Sequence, residues 1–564
     1  MRSASKTLSL LLAVLFLIPA LPFASSADAV TRFTVATDVH LRLPDSDIEV
    51  SYPESELYWH AWGSGNLTYE AGGILKSMFK QVREDGSEFV LLCGDLAHNG
   101  HREQHEYFTS LLREFERESG IPVYVVPGNH DYFNGYMPDD FRECYADFGY
   151  SEAIASDDKT ASYSARLPGG FRLIAVDSND PGDDGDGIDE RLLRWIDSQA
   201  LAAKNDGETP ILMMHHPLLE PIAYGSVLMK DFVVRNSRSI AERFARDGIT
   251  YVFTGHEHGN DISSYTALNG KIVYNILTTA LSSYPLEYRS VELGKDKMDL
   301  KIKSIVDADP DYIPSVYNDA QRSLILNDFT AYSLGFFKYS VEQKIYRVIS
   351  PEMIKDILGV EQGTLADAVD YVMPLVREAL ETPMHDGGDG GVSVEALAAK
   401  KGAKLPENDY ISLMDMVTTV VAKIYEGGED IPTDTSPEGK LLLISLDTLL
   451  GRLFTQIGDK VLPEDLFKIL SVFGVKKAEE LGIYTCSAGP VPGGDYRYAV
   501  AEASLASFLD KFLKDDAVPD RDAVLAGPGA SVSVQERFNV LVSRLTEFLG
   551  YVLRFLRTAL AVVG

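Results

Sequence analysis

Cysteine is scarce. The three in 564 residues, Cys93, Cys144 and Cys486, exclude a disulfide-built scaffold, and Cys93 sits in the apolar run that starts at Phe89, where a buried thiol is expected. Positive charge is also short: Lys+Arg 52 against Asp+Glu 84 leave a net charge of -32. That balance excludes a basic surface able to grip a phosphate backbone, so nucleic-acid polymers are not expected partners. A phosphate ligand would have to be captured locally, by metal ions or by a few convergent donors. Uncharged apolar runs long enough for a bilayer are missing too. The last segment, Gln535 to Gly564, is mostly apolar, but Arg537, Arg544, Arg554 and Arg557 interrupt it, and a span needs ~18 or more such residues. It reads as an amphipathic helix that should dock on an apolar surface, either the helical region or a membrane face.

What is present is a globular composition, 45% apolar and 10% aromatic, at a length that suggests two to four domains. Residues 1–29 read as an export signal: Arg2 and Lys6 precede the apolar run Leu8 to Phe23, and Ala27-Asp28-Ala29 offers small residues for cleavage. The expected location is therefore secreted or cell-envelope. Residues 30–306 alternate strand-like and helix-like runs, the pattern of an α/β domain that ends in consecutive strands after Lys271. Residues 311–526 show longer helical periodicities broken by loops rich in Gly, Pro and Asp, which predicts a mainly helical region.

Histidine is unevenly spread: ten of eleven lie before residue 260. Six of these fall in short polar clusters at the ends of predicted strands: Asp38-Val39-His40, Gly128-Asn129-His130-Asp131, His215-His216-Pro217 and Gly255-His256-Glu257-His258. Gly94-Asp95 closes another strand. Ligand sites in α/β sheets form where strands give way to loops, so these distant residues can converge. Asp38, His40, Asp95, Asn129, His215, His256 and His258 offer carboxylate, imidazole and amide donors suited to divalent Mn, Fe or Zn. Seven donors are too many for one tetrahedral ion but suit two ions sharing a bridge, the arrangement used in phosphate-ester hydrolysis. Asp95, alone in its cluster, is the bridging candidate.

The five clusters, in this order, resemble the calcineurin-like metallophosphoesterase superfamily. The resemblance implies a four-layer fold, two sheets flanked by helices, followed here by the helical region. It implies that Asp38, His40, Asp95 and His258 hold one ion, that Asp95, Asn129, His215 and His256 hold the other, and that His130 stands over the site without binding metal. The family's His two residues before Pro selects His215 over His216. His130 then becomes the candidate proton donor to the leaving oxygen, opposite an in-line attack by hydroxide that the ions make available.

Several other features read as structural. His98, His101 and His105 are expected on a surface loop or helix. Asp131 is expected to orient a neighbouring imidazole. The acidic stretch Asp180 to Glu190 fails the spacing of a calcium loop and reads as a turn capping the helix that starts at Asp189. Trp59 and Trp62, in the insertion after the first strand, are candidates for a base-stacking wall. The export signal and helical region also resemble bacterial class III cyclic-nucleotide phosphodiesterases, which implies a small phosphate-diester substrate. A broad, acid-phosphatase-like phosphomonoesterase is the alternative, and a cell-surface binding protein with a secondary catalytic domain is a third reading.

Overall fold

The computed structural model describes residues 30–43, 65–180, 183–221, 233–315, 317–385, 391–428, 430–458, 460–472, 509 and 518–544. The export signal, the insertion carrying Trp59 and Trp62, and residues 545–564 of the tail lie outside the described residues.

The first sheet has the order β15-β14-β13-β1-β2-β3, built from β1 (Thr31–Ala36), β2 (Phe89–Leu92), β3 (Val123–Val125), β13 (Glu287–Leu293), β14 (Lys297–Ser304) and β15 (Ala523–Ala526). The second has the order β11-β12-β10-β9-β6-β5-β4. Its strands are β4 (Ala153–Ser156), β5 (Tyr163–Leu167), β6 (Phe171–Val176), β9 (Thr209–Met214), β10 (Tyr251–Thr254), β11 (Asp261–Thr266) and β12 (Ile272–Leu277). A short pair, β7 (Asn179–Asp180) and β8 (Asp183–Asp186), precedes the helix that Asp189 caps by accepting the Leu192 N–H. The capping turn is as expected, and the acidic stretch before it forms this pair.

Central strands are apolar throughout because both of their faces are covered. In β2, Phe89 and Leu91 point into the core between the sheets, while Val90 and Leu92 point outward. The outward side meets α1 (Ala71–Asp85) and α2 (Arg102–Ser119) through Ile74, Met78, Phe108 and Leu112. In β9, Ile211 and Met213 share the inner core, and Leu212 and Met214 meet the helices Glu190–Asn205 and Ser237–Asp247. The result is the expected four layers: helices, sheet, sheet, helices.

The strands β1, β2 and β3 are parallel to each other, as are β6, β9, β10 and β12. The loops that follow β1, β2, β3, β9 and β10 therefore gather at one edge of the sandwich. Strand β15 pairs antiparallel with β14. Residues 523–526 thus complete the first sheet, although they lie within the span read as helical from sequence.

Between Ser304 and Ala523 the described residues are mainly helical, with two apolar cores of their own. The elements used below are Phe329–Val348 and Leu413–Tyr425, which lie against each other, tied by Lys338 to Asp415 and Thr419.

The described start of the tail, 534–544, is helical but turned opposite to expectation. Its arginines face the α/β domain. Arg544 donates to the Thr266 carbonyl at 2.6 Å, pairs with Glu242 and stacks over the Tyr265 ring, and Arg537 reaches the Leu268 carbonyl. Val534, Phe538 and Leu541 remain exposed. Guanidinium groups find carbonyl and carboxylate acceptors at that edge, so the polar face, not the apolar one, makes the contact. No described helix is long and apolar enough to cross a membrane.

Candidate metal centre

Each of the five loops delivers its polar side chains to one place. Asp38 and His40 follow β1, Asp95 follows β2, Asn129 and His130 follow β3, His215 follows β9, and His256 and His258 follow β10. Turning side chains so sharply off the strand ends requires unusual backbone. Asp38, His40, Asp95, His256 and His258 have φ of 52°, 47°, 51°, 80° and 61°, and they are five of the eight non-glycine residues with positive φ among the described residues. Such positions cost about 1–3 kcal/mol each and persist only where neighbours over-determine them, so strain concentrates on the ligand candidates. Two glycines permit the close approach. A Cβ at Gly128 would lie 2.2 Å from Asp95 Oδ1, and one at Gly255 would lie 2.4 Å from Asp38 Oδ2 and still nearer to the Thr37 hydroxyl.

The donors form two sets that share one atom. Asp38, His40, Asp95 and His258 present ligand atoms within 4.8 Å of one another, and so do Asp95, His215 and His256. On one side His258 Nε2 lies 3.3 Å from Asp38 Oδ1 and 3.2 Å from His40 Nε2, which is 3.5 Å from Asp95 Oδ2. On the other, His215 Nε2 lies 3.4 Å from the same Asp95 Oδ2, 3.2 Å from Asn129 Oδ1 and 3.2 Å from His256 Nδ1. All seven residues chosen from sequence are brought together, with Asp95 central.

The outer atoms of these groups are already engaged. Asp38 Oδ2 accepts from the Thr37 hydroxyl at 2.7 Å and from the His256 N–H, and Asp95 Oδ1 accepts the His130 N–H at 2.9 Å. His215 Nδ1 donates to the Cys93 carbonyl at 2.9 Å, which aims Nε2 inward, the nitrogen that an ion would take in place of its proton. The inner atom Asp38 Oδ1 is buried with no hydrogen-bond partner. A buried carboxylate oxygen without a donor, facing imidazole nitrogens, is the arrangement that cations satisfy. The donor set therefore fits two divalent ions of the Mn, Fe or Zn type.

Electrostatics follow the same layout. Burial opposes charge on Asp95, but the His215 and His130 imidazoles outweigh it and hold the carboxyl well below the usual range. Burial likewise opposes charge on His215, and the Asp95 carboxylate overrides it, raising the imidazole to about 9. Burial and the nearby His130 keep His40 neutral, and burial with His216 and His215 does the same for His256. His216 points elsewhere: its Nδ1 meets the Ser178 hydroxyl at 2.8 Å, and burial holds it neutral with a pKa of about 3.

His130 stands beside the His40 ring, with centroids 4.6 Å apart, and its Nδ1 donates to the His98 carbonyl at 2.7 Å. That bond leaves Nε2 as the nitrogen available for proton transfer.

Three expectations are corrected. His98 does not sit on a surface loop: its Nδ1 lies 3.3 Å from His40 Nδ1, so it flanks the site. His105 is fully buried, between the Tyr145 hydroxyl and the Asp131 carbonyl, whereas His101 is exposed as expected. Asp131 meets an imidazole, that of His105, through its backbone carbonyl, and its carboxylate does not orient a ligand histidine. Its carboxylate accepts the backbone N–H groups of Leu96, Ala97 and Gly128 at 2.8 to 3.1 Å and staples two ligand loops together. Thr37 and the Cys93 carbonyl are contributors that sequence reasoning passed over. His98 carried a signal, its position three residues beyond Asp95 at a strand end.

Residues 31–260 match the family model described as calcineurin-like phosphoesterase. The chain is 24% identical over 247 residues, 42% of it and 79% of the relative, to a probable glycerophosphodiester phosphodiesterase of Arcobacter nitrofigilis. It is 26% identical over 220 residues, 37% of it and 66% of the relative, to a serine/threonine-protein phosphatase of Pongo abelii. It is 24% identical over 228 residues, 38% of it and 78% of the relative, to a probable cyclic nucleotide phosphodiesterase of Fibrobacter succinogenes.

Proposed function

We propose that this chain, whose residues 31–260 carry a calcineurin-like phosphoesterase domain, is an exported hydrolase that prefers phosphodiesters, cyclic nucleotides among them. The observation that carries the hydrolase reading is the pair of donor sets meeting at Asp95 Oδ2. Two divalent ions bound there would supply Lewis acidity toward phosphoryl oxygens and an activated water at neutral pH. Asp38, His40 and His258 would hold one ion, Asn129, His215 and His256 would hold the other, and Asp95 would be shared between them. The bonds from the Thr37 hydroxyl and the His256 N–H to Asp38, and from His215 Nδ1 to the Cys93 carbonyl, fix the ligands before substrate arrives. His130, pinned through Nδ1, delivers a proton to the departing oxygen from Nε2.

Diester preference rests on less. Relatives named as glycerophosphodiester and cyclic nucleotide phosphodiesterases support it. The net charge of -32 disfavours a monoester dianion more than a diester monoanion, though salt screens this within about 8–10 Å. Trp59 and Trp62 would add a stacking face worth roughly 1–3 kcal/mol per base. A monoesterase is the second reading, favoured by the phosphatase relative.

The deciding experiment reconstitutes the protein with Mn²⁺ and compares kcat/KM on 2′,3′- and 3′,5′-cyclic nucleotides with that on the matching nucleoside monophosphates. A tenfold or greater preference for monophosphates moves the assignment to phosphatase. Two bound ions with no turnover of either class refutes the hydrolase.

A further inference from the structure

The loop 255–260 carries two ligand candidates, His256 and His258, both in left-handed backbone. On one side it is seated against β1, where the His256 N–H meets Asp38 Oδ2 at 3.0 Å. On the other side it is held by the helical region. The helix Leu413–Tyr425 ends beneath it, and the Tyr425 carbonyl accepts the Asn260 N–H at 3.0 Å. Gly427, at φ +79°, turns the chain so tightly against the loop that a Cβ there would lie 2.7 Å from Asp520 Cβ and 3.1 Å from the Asn260 carbonyl.

Two side chains just before strands of the first sheet, one ahead of β13 and one ahead of β15, lock this turn in place. Arg521, just before β15, donates to the Glu426 carbonyl at 2.8 Å and to Glu287 Oε1 at 2.6 Å. The Tyr284 hydroxyl donates to the Glu426 carboxylate. Behind them Asn260 Nδ2 donates to Glu287 Oε2 at 2.8 Å, so Glu287 joins the loop and Arg521. The Tyr425 ring meets Phe337 edge-on at 4.9 Å, which ties the turn to the helix Phe329–Val348.

We infer that the helical region is a clamp on the metal-ligand loop: the turn 425–428, fastened by Tyr284 and Arg521, holds residues 255–260 in the backbone that aims His256 and His258 at the two ions. Tyr284 and Arg521 are thus positioning residues, and the helical region belongs to the catalytic unit instead of forming an independent binding module. The inference rests on the metal reading of the site.

The test is the double variant Tyr284→Phe, Arg521→Met in the full chain, read by Mn²⁺ affinity in chelator competition and by amide exchange of residues 255–260. Mn²⁺ affinity is expected to fall at least tenfold, within the usual 10–100-fold worth of groups that orient metal ligands, and exchange at 255–260 should rise. The control Lys401→Met breaks the Lys401–Asp447 pair within the helical region and should leave both readouts unchanged. Mn²⁺ affinity within twofold of the parent, together with fast exchange at 425–428, would show a detached turn with an intact site and would overturn the clamp. If the double variant fails to fold, Tyr284→Phe alone gives the same two readings on a smaller scale. Exchange at 255–260 reports on the clamp even in a parent that takes up no Mn²⁺, so failure of the metal reading is distinguishable from failure of the clamp.

Discussion

Gly255→Ala isolates the geometry of the metal centre from its chemistry, because it adds one methyl and removes no ligand. Gly255 does not have a positive φ, so alanine meets no backbone penalty there. The new Cβ would sit 2.0 Å from the Thr37 hydroxyl oxygen and 2.4 Å from Asp38 Oδ2, where ordinary contact needs roughly 3.4 Å or more, so the loop or these side chains must retreat by about 1–1.4 Å. Asp38 is also held by the His256 N–H, so the displacement passes to His256 and His258. A misplacement of about 1 Å in reacting geometry is worth roughly 100-fold in rate. The stability loss should stay near the 1–3 kcal/mol of a tight core substitution. Metal content after dialysis against a chelator, with kcat on an aryl phosphodiester, reads the first effect, and urea unfolding reads the second. Full metal content with turnover within twofold of the parent would refute the reasoning, since it would mean that the ligand loops yield without consequence.

Asp95→Asn should abolish hydrolysis and lower bound metal below two equivalents, measured by atomic absorption, because Oδ2 serves both donor sets; normal stoichiometry would remove the shared-ligand assignment. His130→Ala should keep both ions but slow hydrolysis by roughly 10²–10⁴-fold, more for a poor alkyl leaving group than for an activated aryl one. Equal losses on both substrates would rule out proton donation. His105 gives a pH signature: burial lowers it to about 4, whereas the unfolded chain protonates near 6.5, so the unfolded state binds more protons between these values and stability falls as pH drops through that window. The size is on the order of 3 kcal/mol, and His105→Phe should flatten the change in urea midpoint between pH 7 and pH 5; an unchanged slope would contradict the assignment. Arg544→Ala should loosen the tail helix from Thr266 and Glu242 and increase proteolysis beyond residue 533, and unchanged proteolysis would mean that the arginine contact does not hold it.

The candidate centre was legible because its residues are local in pattern: apolar runs buried on both faces stop abruptly at polar clusters, although the choice of His215 over His216 and the setting aside of His130 rest on the family resemblance. What escaped is non-local or ambiguous in type. Asp131 looks like any acid beside a histidine, and its service to Leu96, Ala97 and Gly128 exists only once β2 and β3 lie side by side. His105 could have been placed in the core, since it precedes Phe108, Leu112 and Phe115 at helical spacing on the buried face of α2. Polarity argued against it, and a Tyr hydroxyl and a carbonyl satisfy that polarity. The run Ala523–Ala526 is too short to announce a strand and pairs with residues more than 200 positions earlier. The described start of the tail carries an arginine face and an apolar face, and which of them meets the protein depends on acceptors at Thr266 and Glu242 that no local pattern reveals.

Strand β15 gives the chain an order of assembly. As synthesis proceeds from the N-terminus, the sheet that contains the very first strand keeps an open edge at β14 until more than 500 residues have been made. An unpaired edge is a template for pairing with other chains, so this interval is when the protein is most exposed to aggregation. A fragment ending near residue 306 would keep every metal-ligand candidate and yet present that bare edge permanently. Truncation should therefore turn a single-chain sheet into a sticky one, and the four-residue strand β15 works as a seal added late.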